Sequence, residues 1–227
     1  MKRMLFFIFL LVLESFLYSG VIIEQTVSFP ENGIKKSVKR VLLIEGARMR
    51  TEYPDEGRYS IILLDEKIMY DVDTKQRIYQ MINLKRKMKK EKRRERAKRN
   101  EKKGVDKVKL TFTLKEKKIN NYNCRLLTAK NPTGVMSHVW VSHNAPGQED
   151  FFSFYKKFNE ISQGVRKLQD LTRMISELAK LNSMPIEICT PLYGQDGGEV
   201  VSTVTAIYKK DISKDMFKKP RGFKRIK

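Results

Sequence analysis

Histidine and cysteine are nearly absent from this chain, with two of each in 227 residues. The histidines, His138 and His143, flank the single tryptophan, Trp140, and neither has a carboxylate or thiolate at metal-ligand spacing. On a strand their five-residue separation puts them on opposite faces, so no metal site is expected. The sequence has no Gly-x-Ser-x-Gly elbow, no phosphate-cradling glycine loop and no paired acids at a useful spacing. Asp196-Gly197-Gly198-Glu199 reads as a turn rather than a calcium loop. No cofactor is expected, and of the functional classes enzyme is the least supported. Long apolar runs are also missing. The longest, Leu5 to Leu13, is far short of the about 20 residues that span a bilayer.

That short run is informative in another way. Met1-Lys2-Arg3 supplies a positive start, the run ends at Glu14, and the small residues Ser19 and Gly20 precede Val21. This is the order of a secretory signal peptide over residues 1–20, cleaved near Ser19 or Gly20. Leu17 or Tyr18 stands where a second small residue is usual, so an uncleaved anchor is the alternative. No cysteine follows the run, which argues against a lipidated mature N-terminus. The expectation is an exported protein of the periplasm or cell envelope with one mature domain, residues 21–227. Export permits a bridge between Cys124 and Cys189, which would contribute about 4 kcal/mol in the chain-entropy model. Two independently buried thiols are the other reading. Charge is abundant and one-sided: 47 Lys and Arg against 26 Asp and Glu, a net of +21. Such a balance favours anionic partners such as lipid headgroups or envelope polymers, and is equally the mark of a solubilising surface.

The body of the chain reads as strands. Ile22 to Phe29 alternates in period two, Pro30-Glu31-Asn32-Gly33 is a turn, and Val38 to Ile44 returns. Gly46 breaks that strand before Ala47 to Thr51. Ile61–Leu64, Ile68–Val72 and Ile78–Ile82 continue an antiparallel meander, each bounded by Gly, Pro or Asp. Val108, Leu110, Phe112 and Leu114 alternate with Lys and Thr, predicting a strand with one buried face. Tyr122–Thr128, Val135–Val141, Pro185–Pro191 and Val200–Tyr208 complete the sheet. Two helices interrupt it. Phe151, Phe154, Tyr155, Phe158 and Ile161 form one stripe after an Asp150 cap, and Leu168, Leu171, Ile175 and Leu178 form a second, with Gly164 as a stop between them.

One segment fits neither pattern. Lys85 to Lys103 holds thirteen basic and three acidic residues, a net of +10, in an insert spanning 84–104. It has good helix propensity but too few apolar residues for a packing stripe, and reads as a solvated basic helix closed by Gly104. As an anion-binding surface its candidates are Lys85, Arg86, Lys87, Lys89, Lys90, Arg93, Arg94, Arg96, Lys98 and Arg99. Nucleic acid is a poor fit, because no aromatics interleave to stack bases and the protein is exported.

Four stretches resemble a known bacterial exported family of unknown function, itself related to the LolA/LolB lipoprotein-localisation carriers. They are Leu43-Ile-Glu-Gly-Ala-Arg-Met-Arg50, Ile61 to Tyr79, Val139-Trp140-Val141 and Phe217-Lys-Lys-Pro-Arg-Gly-Phe223. The resemblance implies an α+β fold, mainly antiparallel β, with a strongly curved half-barrel sheet and helices in its concavity. It also implies non-catalytic binding of a lipid, acyl chain or lipoprotein there. The candidate lining is Met49, Ile62, Leu64, Tyr70, Phe112, Trp140, Phe154 and Phe158. The alternative is a surface or adaptor protein that binds anionic lipid or polymer through the basic insert.

Overall fold

The computed structural model describes residues 20–97, 108–130, 134, 136–162, 166–192 and 198–226, without the side chains at 92, 94–97 and 166–170. The chain opens with a long hairpin, β1 (Gly20–Glu31) and β2 (Ile34–Glu45). Its turn is Asn32-Gly33, both with positive φ (52° and 75°), the geometry that matches the twist of the flanking strands. β3 (Arg48–Tyr53), β4 (Arg58–Leu63), β5 (Ile68–Asp73) and β6 (Ile78–Asn83) continue the meander. Gly46, at φ 58°, makes a tight turn rather than a bulge. After helix α1 (Leu84–Ala97) come β7 (Lys109–Ile119), β8 (Tyr122–Lys130) and β9 (Met136–His143). Helices α2 (Gln148–Ser162) and α3 (Arg166–Lys180) precede β10 (Ser183–Pro191), β11 (Glu199–Lys210) and the short β12 (Lys224–Ile226).

All these strands form one open sheet in the order β12-β6-β5-β4-β3-β2-β1-β11-β10-β9-β8-β7. Every pairing is antiparallel except β12 on β6. The sheet curls sharply. Asn120 Nδ2, at the tip of the β7–β8 hairpin, donates to the Val204 carbonyl of β11 at 2.7 Å, although β7 is four places from β11 in the sheet. Register breaks between Glu24 and Gln25 and between Pro185 and Glu187 supply bends where the curl is needed. Pro185 stands at one of them, a place where a strand tolerates a residue with no N–H.

The strand predicted to be the cleanest half-buried one is not. β7 is a sheet edge, and between Phe112 and Glu116 its register slips against β8. Leu114 is 96% exposed and Phe112 44%. Alternation in sequence needs a layer above it to become burial, and along that edge no described element covers Leu114.

Helices α2 and α3 pack on the sheet as their stripes predict. Phe151 and Phe154 are buried with Ile23, Leu42, Ile44, Met49 and Ile186, while Met174 and Leu178 of α3 bury Leu127, Val139 and Val141. Two details differ from expectation. Asp150 lies inside the first turn of α2 rather than capping it, because Gly147 (φ 65°) turns the chain earlier and the helix begins at Gln148. Leu171 stays 39% exposed, and the neighbouring Thr172 is buried instead, its hydroxyl 2.8 Å from Asn159 Oδ1 across the two helices. Gly164 lies outside the described residues, and Leu168 is in α3 but its side chain is not described.

The opposite face of the meander has its own cover. Leu43, Ile61, Tyr70, Val72 and Tyr79 point away from the helices and are buried under Ile212, Met216, Phe217 and Phe223 of the C-terminal segment. That segment turns through a 3₁₀ helix (Lys214–Phe217) and ends in β12.

Candidate functional site

The register of the meander sorts its side chains into two rows. Ile44, Met49, Ile62, Met69 and Ile82 stand side by side across β2–β6, and Leu43, Arg50, Ile61, Tyr70 and Met81 stand one residue along, on the other face. Because the side-chain period is two, this single step sends the two rows to different cores. The first row faces the helices. Its β2–β3 end is buried beneath α2. At the β4–β5 end Ile62 and Met69 are only partly buried, as are Phe158 and Ile161 of α2, and what covers them is α1.

α1 was expected to be a solvated rod, but its first turns are seated. Leu84 is 2% exposed and Met88 8%, and both pack on Ile62, Met69, Phe158 and Ile161. Asn83 caps the helix, its Oδ1 accepting from the Arg86 N–H at 2.9 Å, and the Leu84 N–H donates to the Lys67 carbonyl at 2.8 Å. Two apolar residues at i, i+4 lie on one helix side. They are too few to register as a stripe, yet enough to close a groove. The signal that could have found them is their spacing: Leu84 directly follows the apolar strand, and Met88, four residues on, is the one apolar break in the cations from Lys85 to Lys90. Lys85, Arg86, Lys87, Lys89, Lys90 and Arg93 are exposed on the remainder of the helix. The side chains of Arg94 and Arg96 are not described, and Lys98 and Arg99 lie outside the described residues. No acid occupies the first turn. Three cations therefore sit at the positive end of the helix dipole, an arrangement that an anion there would relieve.

Beside the groove, on the β4–β5 strands, opens a cavity of about 270 Å³ lined by Tyr53, Glu56, Arg58, Tyr59, Ser60, Met69 and Asp71. Arg58 and Asp71 pair across it at 3.7 Å. Met69 belongs to both the cavity and the groove.

Of the predicted lining residues the structure brings together Met49, Ile62, Leu64, Trp140, Phe154 and Phe158 around one core. Tyr70 is not among them, since it belongs to the other row and packs edge-on against Tyr79 at 6.0 Å. Phe112 is on the exposed edge, with Arg125 over its ring at 5.9 Å. Trp140 lies at the margin, under Lys117, whose Nζ is 4.3 Å from the ring centre and 2.8 Å from Glu187 Oε1. Met69, Leu84 and Met88 were not predicted, and Ile161 was predicted in the α2 stripe but not as a lining residue.

The cysteines are free thiols. Cys189 pairs with His138, and His138 with Thr128, so Cys124 is two strands away and four residues farther along. At about 4.8 Å per strand and about 3.3 Å per residue, that spacing is well beyond the roughly 7 Å Cα separation that a disulfide tolerates. Burial, the largest cause in each case, pushes both thiols up to about 11; for Cys189 the Glu187 carboxylate adds to it. Neither is a nucleophile at neutral pH. His143 and Ser183 approach to 3.1 Å, but Ser183 is fully buried and its hydroxyl donates to the Leu181 carbonyl at 2.9 Å. Among the described residues no group of three or more His, Cys, Asp or Glu could hold a metal, and no helix is long and apolar enough to cross a membrane.

Among solved structures, an uncharacterized conserved protein from Thermus thermophilus aligns over 94% of this chain and 93% of its own, at 8% identity and a TM-score of 0.50, a likeness of fold. A DUF1329 family protein from Desulfovibrio piger (9% identity, 89% and 90% covered, TM-score 0.39) and a LolA superfamily protein from Nitrosomonas europaea (9% identity, 89% and 91% covered, TM-score 0.37) align more loosely. No curated protein matches the sequence. A family model does match, over residues 22–223, and so takes in the meander, the basic insert and the C-terminal tail: the chain belongs to the family described as a domain of unknown function, DUF4412.

Proposed function

We propose that this is a non-catalytic cell-envelope protein that holds the acyl chain of a lipid or lipoprotein in the groove beneath α1, with the anionic headgroup on the cationic side of that helix. The observation that carries the reading is the composition of the cover. A groove floor of Ile62, Met69, Phe158 and Ile161 is closed by only Leu84 and Met88, on a helix whose other described side chains are cations or Glu91.

Magnitudes make the exchange workable. The cavity of about 270 Å³ beside the groove is small for a chain-length ligand, since drug-sized sites run from about 300 to 1,000 Å³. The ligand must therefore replace Leu84 and Met88. Exposing both costs about 3–6 kcal/mol, and each buried methylene contributes about 0.8 kcal/mol. Some four to eight methylenes offset the cost, fewer than an ordinary acyl chain has. The chain's resemblance to the LolA/LolB carriers, read from its sequence motifs, points to the same ligand class.

The test is native mass spectrometry of the protein recovered from its own exported fraction, followed by titration of the delipidated protein with phosphatidylglycerol in detergent below its micelle concentration. A stoichiometric adduct of lipid mass, lost in Met69→Asp and Phe158→Asp but kept in Leu114→Asp, is the expected result. Binding to anionic vesicles that survives the groove substitutions and vanishes on neutralising the α1 cations would replace the carrier reading with that of a surface adaptor. No adduct and no titration would reject both.

A further inference from the structure

The groove accounts for one face of the meander. The other carries a second concavity of about 590 Å³, lined by Tyr79, Lys218, Lys219, Pro220, Arg221, Gly222 and Phe223. Its wall is the loop between the 3₁₀ helix and β12, and the way that loop is held is the basis of the inference. Phe217 and Pro220 are buried and Phe223 half-buried, so an apolar residue every third position pins the loop to the sheet. The intervening Lys218, Lys219 and Arg221 are exposed. Arg77, at the turn before β6, donates to the Gly222 carbonyl at 3.4 Å, and the Arg77 carbonyl accepts from Lys224 N at 2.9 Å. Gly222 holds φ at 74°, which a side chain disfavours. The loop therefore presents its cations from a fixed backbone, and that pre-organisation lowers the cost of capturing a ligand.

The charges around it are one-sided. From Lys214 to Lys227 the tail has seven basic residues and one acid, Asp215. Asp215 pairs with Lys218 at 2.6 Å, and that contact holds its carboxyl below the usual range. Lys219 lies 5.9 Å over the Tyr79 ring. Arg221 adds a planar fork of donors suited to two oxygens of one tetrahedral anion.

We propose that this concavity is a phosphate-binding site, in which Arg221 and Lys219 take the phosphate oxygens, Lys218, paired with Asp215, stands at the rim, and the half-buried Phe223 receives the organic part beside it. The phosphate can belong to a lipid headgroup or to a soluble phosphate ester; both present the same anion to the same cations. The site is on the face opposite the groove and does not depend on the acyl-chain reading.

The experiment uses the full chain and a Lys219→Gln/Arg221→Gln variant, which leaves Phe217, Pro220, Phe223 and Gly222 in place and so keeps the loop anchored. Both proteins are titrated with glycerol 3-phosphate, followed by phosphorus NMR, and with phosphatidylglycerol vesicles by co-sedimentation. Each cation near an anionic surface is worth about fivefold in affinity, so the double variant is expected to bind at least about tenfold more weakly in one arm. Weakening with glycerol 3-phosphate marks a soluble ester. Weakening with vesicles alone marks a lipid headgroup. A variant with an unchanged unfolding midpoint that binds both probes as the wild type does, or a wild type that binds neither, overturns the proposal. Because the α1 cations are intact in both proteins, their contribution to vesicle binding cancels in the comparison.

Discussion

Arg50 Nη1 donates to the backbone carbonyl of Met216 at 3.1 Å, joining residues 166 positions apart. The same guanidinium lies 3.7 Å over the Tyr59 ring and meets Glu52 Oε1 at 2.6 Å, while Arg48, two residues back, stands 5.4 Å over Phe217. Two of the stretches that carry the family resemblance, one ending at Arg50 and one starting at Phe217, are thus a single structural unit. The arginines of β3 clamp the tail that seals the outer core.

Replacing Arg50 by Ala removes the carbonyl's partner, the ring contact and the pair to Glu52 together. A loss of about 2–3 kcal/mol is expected, from the hydrogen bond and the cation–π term. Arg50→Lys recovers little, because an ammonium cannot serve ring, carboxylate and carbonyl at once. Urea unfolding measures both. A lysine variant as stable as the wild type would show that the clamp acts through charge alone.

The edge strand gives a contrast between two leucines. Leu127 on β8 is fully buried and Leu114 on β7 is 96% exposed. Leu127→Ala should destabilise by about 2–5 kcal/mol, whereas Leu114→Ala should stay within about 0.5 kcal/mol. The two unfolding midpoints check this directly. Equal losses would mean that β7 is covered in solution.

The same pair shows where sequence reading succeeds and stops. The meander was legible because its turns announce themselves: Asn32-Gly33, Gly46 and the polar breaks at Asp65-Glu66 and Asp73-Thr74-Lys75 leave little freedom of register. The helices α2 and α3 were legible from their stripes. β7 was misread because period two reports a strand's potential to bury one face, and only neighbours decide whether it does. The Cys124–Cys189 bridge failed for a related reason, since two strands can be close in a sheet while their cysteines stand in different rows. Of the groove, the α2 wall and Ile62 were visible beforehand. Its cover was not, because two apolar side chains among thirteen cations carry almost no periodic signal. The tail motif was recognised, but not that Arg48 and Arg50 hold it.

The free thiols bear on pH. Each has its ordinary value of 9.0 raised to about 11 in the folded protein. In the unfolded chain the thiols ionise first, so the folded state binds more protons between these values and stability falls as pH rises. Below about pH 9 the contribution is fully present, and it is lost through about pH 11. Cys124→Ser/Cys189→Ser should flatten the decline between pH 9 and 11, measured by unfolding at fixed ionic strength. Two reactive thiols in the unfolded, unreduced protein are expected alongside; a count of zero would restore the bridge.

Lys85 offers a test in which stability and binding move in opposite directions. It is exposed in the first turn of α1, beside Arg86 and Lys87, with no acid to meet the helix dipole. Lys85→Glu puts an anion at the positive end of the helix and removes one of the three first-turn cations, which should stabilise the first turn by about 0.3–1 kcal/mol. Hydrogen exchange across the first turns of α1 should slow by a small factor. If the arrangement of cations exists to receive an anionic headgroup, the same substitution must weaken binding to phosphatidylglycerol, and adding salt must narrow the gap between the proteins. Slower exchange with undiminished lipid binding would mean that the first-turn cations are only solvated surface. A concerted change, a tighter helix and a weaker complex, would mean that the helix carries its electrostatic strain for the ligand.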